Sequence, residues 1–159
     1  IWTAHYIPII GREQVRYMLN KFQSRSTIRD QITRGYEYYI LLKNSRPTGY
    51  FALVPCLAES SLQLSKIYLR HEQRGQGGGT AMLEFCEKCC RERGLHRLWL
   101  TVNRNNLDSI AVYQNMGFIR NGEILQDIGN GFVIDDYKMV KRITPLKLKH
   151  VSGKGTGKK

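Results

Sequence analysis

Residues 66–85 read KIYLRHEQRGQGGGTAMLEF, and the fold turns on this stretch. An alternating segment, Leu62–Arg70, has the period of a β-strand. Glycines follow at positions 75, 77, 78 and 79, and a segment with helical spacing begins at once. The helix is expected from about Gly78 to Arg93, with Gly94 ending it. A helix start leaves backbone N–H groups unpaired and partly positive. Glycines let those groups approach a ligand without a Cβ in the way. A flexible turn would also use glycine, but a loop between strand and helix is the place for a phosphate.

Two nucleotide motifs fail here. A P-loop needs GxxxxGK[ST], and no lysine follows these glycines. A dinucleotide loop needs GxGxxG; Gly75 and Gly77 supply the first pair, but Thr80 stands where the third glycine belongs. The next strand ends in TVN, with no acid to hold a ribose.

Outward from the loop, GREQVRYMLNKFQSRSTIRDQITRG predicts two short helices, the second capped by Ser26 or Thr27 and ended by Gly35. YEYYILL (Tyr36–Leu42) and GYFALVPCL (Gly49–Leu57) read as an antiparallel hairpin with a longer loop. LHRLWLTV (Leu95–Val102) is a further strand, NNLDSIAVYQNM a short helix, and FIRNGEILQDI and FVIDDYKMV flank a tight turn at GNG. A strand–helix–strand unit among antiparallel pairs gives a one-domain α/β architecture with a mixed, mostly antiparallel sheet.

The 159 residues suit one domain, and 42% apolar content suffices for a core. No apolar run approaches the roughly 20 residues of a membrane span. With no secretory signal pattern either, a cytoplasmic protein is expected. Cys86 and Cys89 have zinc-like spacing but lie in the helix with no second pair, so Cys56, Cys86, Cys89 and Cys90 are read as packing thiols, with no metal. The net charge is +12, and seven basic residues lie in 141–159 without an acid, which leaves +5 for residues 1–140. The boundaries expected are a domain over 1–144 and a basic, disordered tail over 145–159. The mildly basic body suits an anionic ligand and argues only weakly for nucleic acid.

Arg74-x-x-Gly77-x-Gly79 is the pattern R-x-x-G-x-G, and LWLTVNRNNLDSIAVYQNMGF ends in Tyr-x-x-x-Gly-Phe (Tyr113, Gly117, Phe118). In these two motifs residues 35–142 resemble the GNAT superfamily of acetyl-CoA-dependent N-acetyltransferases. The N-terminal helices followed by GYEYYIL are similar to its PaiA-like polyamine/amine branch. The resemblance implies a central pair of parallel strands that splay apart, and a first strand preceding Ile1 or beginning near it. It implies that the N–H groups of Arg74, Gly75, Gln76, Gly77, Gly78 and Gly79 cradle the coenzyme A diphosphate, helped by Thr80. Ile67, Tyr68 and Leu69 would pair with the pantetheine arm as an added strand does, and would supply the N–H that meets the oxyanion. Asn106 resembles a cofactor-contacting asparagine and is also placed to cap the helix.

The resemblance assigns Tyr113 as the acid for the leaving thiolate, although a helical tyrosine between Ile110 and Met116 would ordinarily be core. The cysteines are not proposed as nucleophiles. Family members often carry a glutamate on the strand entering the loop, where this chain has Ser65 and Lys66. Glu37, His71, Glu72, Asp135, Asp136 or water remain as bases. The acceptor expected is a small amine, a polyamine or a protein amine, and the resemblance admits a homodimer. The alternative is a non-catalytic coenzyme A-binding or nucleic-acid-binding module using the basic tail.

Overall fold

The computed structural model describes residues 2–146. The tail expected at 145–159 therefore lies, from residue 147 on, outside the described residues. Three helices come first, not two: α1 (Trp2–Ile10), α2 (Arg12–Phe22) and α3 (Arg25–Thr33). The extra helix, α1, is nearly apolar throughout and contains Pro8, so it offers no polar face for a periodicity reading. It also occupies the place where a strand near Ile1 was expected. Gly11, at φ +83°, separates it from α2. The cap of α3 is Ser24, not Ser26 or Thr27, because the helix begins at Arg25; its Oγ accepts from the Thr27 N–H at 3.2 Å.

The sheet has six strands: β1 (Glu37–Lys43), β2 (Arg46–Cys56), β3 (Ser61–Leu69), β4 (Arg97–Asn103), β5 (Ile119–Gly129) and β6 (Phe132–Arg142). Their order is β1-β2-β3-β4-β6-β5. Every neighbouring pair is antiparallel except β3–β4. The β1–β2 connection is tighter than the expected longer loop. Asn44 and Ser45 take left-handed φ values of 50° and 61°, and strand resumes at Arg46.

Two further helices complete the chain, α4 (Gly78–Glu92) and α5 (Leu107–Asn115). Helix α4 lays Met82, Leu83, Cys86 and Cys90 on the sheet, against Leu53, Leu62, Leu64, Leu98 and Leu100. Each leucine or methionine buried there contributes about 1.5–3 kcal/mol. Burial pushes the Cys86 thiol up to about 12, which makes it an inert packing group. The opposite face carries α1 and α2: Trp2 stacks obliquely 5.5 Å from Tyr68, and Lys66 bonds the end of α2 at Phe22.

The feature that positions the site is the brevity of the β3–β4 ladder. Only Ser61, Leu62 and Gln63 pair with Arg97, Leu98 and Trp99. Beyond them β3 stays with β2 and β4 stays with β6, so the sheet opens as a wedge. The splay expected for the two parallel strands is thus present. Ser65 adds a bulge: Leu64 faces Leu53 and Lys66 faces Ala52, which leaves Ser65 between them without a partner. The bulge exchanges the faces of β3. Leu62 and Leu64 before it, and Ile67 and Leu69 after it, all join the α4 side, whereas Lys66 and Tyr68 meet α2 and α1.

Candidate active site

The wedge is a cavity of about 460 Å³. One wall is β3 from Leu64 to Leu69, with its free edge turned to the opening, and the other is Leu100–Val102 of β4. Leu83 of α4 and Tyr113 of α5 close one side, and His5 and Tyr6 of α1 lie across the other.

The glycine loop opens onto this cavity with Gly75, Gly77, Gly79 and Thr80. Its glycines serve three needs. Gly75 and Gly77 hold φ of +68° and +82°, which a side chain rarely adopts. A Cβ on Gly78 would lie 3.1 Å from Leu69 and 3.3 Å from Leu41, so that position lets the helix approach the sheet. A Cβ on Gly79 would meet only Leu69 at 3.7 Å, ordinary contact, so the fold does not demand glycine there. The first backbone bond of α4 runs from Ala81 N–H to Gly77 O at 2.9 Å, which leaves the amides of residues 78–80 without helical partners. Gln76 turns the other way, its Oε1 accepting from Lys43 at 2.6 Å.

Arg74 and Asn106 come from opposite arms of the wedge, and His5 joins them. Its Nδ1 lies 2.9 Å from Arg74 and its Nε2 lies 3.1 Å from the Asn106 amide. Asn106 is buried and is the N-cap residue of α5, its C=O accepting from the Ile110 N–H at 3.1 Å, but its side chain makes no capping bond. Neither His5 nor Tyr6 was legible as a site residue, because both depend on α1 folding back over distant loops.

Tyr113 is 8% exposed, with its ring 5.9 Å from Phe118. Burial first, then the nearby Tyr6 and Cys86, push its phenol well above 10. The hydroxyl is therefore protonated across the neutral range. Ile67, Tyr68 and Leu69 all line the cavity.

The candidate bases separate by their partners. Glu37 is held by both terminal nitrogens of Arg93 at 2.8 Å, and that bond lowers its pKa. Asp135 pairs with Arg104 at 2.6 Å. His71 and Glu72 are exposed beside the loop. Asp136 differs: burial raises it to about 6, while the nearby Thr101, a residue of the cavity wall, opposes the rise.

Among the described residues no group of three or more His, Cys, Asp or Glu could hold a metal ion, and no helix is long and apolar enough to cross a membrane.

Residues 8–118 match the family model described as Acetyltransferase (GNAT) family. Over 94 residues the chain is 32% identical to N-acetyltransferase 8 of Homo sapiens, covering 57% of this chain and 41% of that protein. Over 66 residues it is 32% identical to an L-methionine sulfoximine/L-methionine sulfone acetyltransferase of Pseudomonas paraeruginosa, covering 42% of this chain and 38% of that one. The matches thus span less than half the length of these curated relatives. The PaiA N-acetyltransferase of Thermoplasma acidophilum, solved with coenzyme A, superposes with a TM-score of 0.71 over 89% of this chain and 85% of that one. At 20% identity this last likeness is one of fold. With the family's model spanning residues 8–118, more than half of the chain, this chain belongs to the GNAT family of acetyltransferases.

Proposed function

We propose that this protein is an N-acetyltransferase that moves an acetyl group from acetyl-CoA directly to an amine. One observation carries the proposal: a helix start with unpaired amides and an unobstructed Gly79 opens onto a wedge whose β3 edge lacks a neighbouring strand. These donors fit a diphosphate, with Arg74 adding charge, and the free β3 edge fits an extended chain of amides. Bound acetyl-CoA supplies a thioester whose acetyl group the amine takes up, releasing free thiol.

The residues then divide the work. N–H groups on the free β3 edge meet the negative charge that develops on the carbonyl oxygen as the C–N bond forms. Tyr113 donates its phenolic proton to the sulfur as the C–S bond breaks; its raised pKa keeps that proton available. Asp136, poised near 6 beside Thr101 of the wall, takes the proton that the amine gives up. No cysteine enters the scheme; among the described residues they are all free, and three are buried.

The test is release of free coenzyme A thiol across a panel of amines, amino acids, polyamines, aminoglycosides and peptides, with acetyl-CoA binding followed by calorimetry. Thiol release that depends on an amine supports the proposal. Binding without release from any amine would leave a coenzyme A-binding module, and no binding would remove the scheme.

A further inference from the structure

Among the described residues Lys66 is the one buried lysine, 5% exposed, and it lines the wedge. Its Nζ donates to Phe22 O at 3.1 Å and to Gln23 Oε1 at 3.0 Å, and lies 5.3 Å over the Tyr38 ring. Both acceptors are neutral. Burial lowers its pKa to about 8, and no acidic neighbour offsets the fall. The other buried ionic side chain is treated differently: Glu87 is paired with both Arg91 and Lys141. A buried charge without a counter-ion is costly and is kept where something else pairs with it. An ammonium has three donors, and the protein supplies two acceptors.

That missing partner is not the cofactor's diphosphate. The bulge at Ser65 turns Lys66 and Tyr68 to the α1–α2 side of β3, whereas Ile67 and Leu69 pack on the side of α4, whose N-terminus forms the phosphate cradle. Among the described residues Lys66 is the one lysine of the cavity lining, and Asp108 is its one acidic residue, on α5 beyond β4.

We infer that the acceptor carries a carboxylate as well as its reacting amine, and that this carboxylate pairs with Lys66. The inference rests on the acetyl-transfer reading and narrows it. A single negative charge matches a single ammonium with one donor to spare; a phosphate dianion would bring more charge than Lys66 compensates in a buried site. The same lysine disfavours diamines and polyamines, whose second ammonium would face a like charge in a site of low dielectric.

The experiment compares amines that differ only in the carboxylate: ornithine with putrescine, lysine with cadaverine, phenylalanine with phenethylamine, methionine with 3-(methylthio)propylamine. For the pair the enzyme uses best, kcat/KM is expected to favour the carboxylated member by about a hundredfold, the scale on which a polar site rejects an analogue lacking the matching group. Lys66→Met keeps the length and removes the charge. It should bring that ratio close to one, chiefly by raising KM for the amino acid, while leaving acetyl-CoA affinity unchanged by calorimetry. Equal or better turnover of the decarboxylated members by the unaltered protein would overturn the inference and leave acetyl transfer standing. So would a ratio that survives Lys66→Met in protein with a normal melting transition. Absence of thiol release with every amine would overturn both readings together.

Discussion

Nδ1 of His5 lies 2.9 Å from a guanidinium nitrogen of Arg74, which ties the first helix to the glycine loop 69 positions along the chain. A guanidinium only donates, so Nδ1 accepts and the imidazole is neutral, its proton on Nε2. Nε2 lies 3.1 Å from Nδ2 of Asn106, where a protonated Nε2 would set donor against donor, so this tautomer calls for the amide turned about to present Oδ1. One neutral ring thus orients two residues on opposite arms of the wedge.

His5→Ala is expected to weaken acetyl-CoA binding about fivefold by calorimetry, the worth of roughly one hydrogen bond near 1 kcal/mol. Burial, then the Arg74 charge, lower the His5 pKa below 6.5, with Asp108 opposing. Between the lowered folded value and 6.5 the unfolded chain holds a proton that the folded chain does not. The stabilisation is therefore present above 6.5 and is lost as pH falls through the folded value. The melting temperature of His5→Ala should fall less steeply than the parent's between about pH 7 and about pH 5. Parallel curves would remove His5 from the bridge.

Gly79→Ala separates the fold from the cradle. The added methyl makes ordinary contact with Leu69 at 3.7 Å, and alanine is the better helix former, so the melting temperature should hold or rise slightly. Acetyl-CoA affinity should drop about tenfold, because the methyl stands where the amides must reach a diphosphate. Gly78→Ala makes the contrast: its Cβ would press on Leu69 at 3.1 Å and Leu41 at 3.3 Å, so there stability should fall. Undiminished affinity in Gly79→Ala would move the phosphate elsewhere.

Tyr113→Phe should bind acetyl-CoA as the parent does and transfer acetyl about a hundredfold more slowly, the usual worth of a positioned proton donor. Since burial raises this phenol well above 10, the parent should show no loss of rate from Tyr113 ionisation as pH climbs to about 9. Turnover of Tyr113→Phe at the parent rate would assign the proton to solvent.

Asp136 carries two linked expectations. Its folded pKa, about 6, is raised from 3.8, so burial favours the protonated form. The contribution to stability is full below 3.8 and disappears as pH rises through about 6. Asp136→Asn should therefore raise the melting temperature at about pH 8 and change it little near pH 4. The same variant should abolish the acidic limb of the kcat/KM profile near 6. A variant that is less stable at pH 8, or that keeps this limb, would exclude Asp136 as the base.

The strands, α4, α5 and the glycine loop were legible because their signals are local. LQLSKIYLR alternates, and RGQGGGT places its glycines within one turn of a helix start. The role of α1 was not legible: WTAHYIPII has no polar face, and its His5 meets Arg74 and Asn106 across 69 and 101 positions. Lys66 read as a departure from the family at the place of an expected acid. Its meaning depends on the bulge at Ser65, which decides the face it serves and leaves no trace in a two-residue period. Asp135 and Asp136 are adjacent and chemically alike in sequence, and only their neighbours, Arg104 for one and Thr101 for the other, tell them apart.

The three-residue ladder between β3 and β4 also has a mechanical side. It makes the sheet two leaves joined at one end, β1-β2-β3 and β4-β6-β5, with α4 spanning the join. Past Gln63 and Trp99 the facing amides lack cross-strand partners, so they should exchange with deuterium quickly in the free protein. A ligand laid along β3 would act as the missing slat, and the spread of slowed exchange down that edge would trace its length residue by residue.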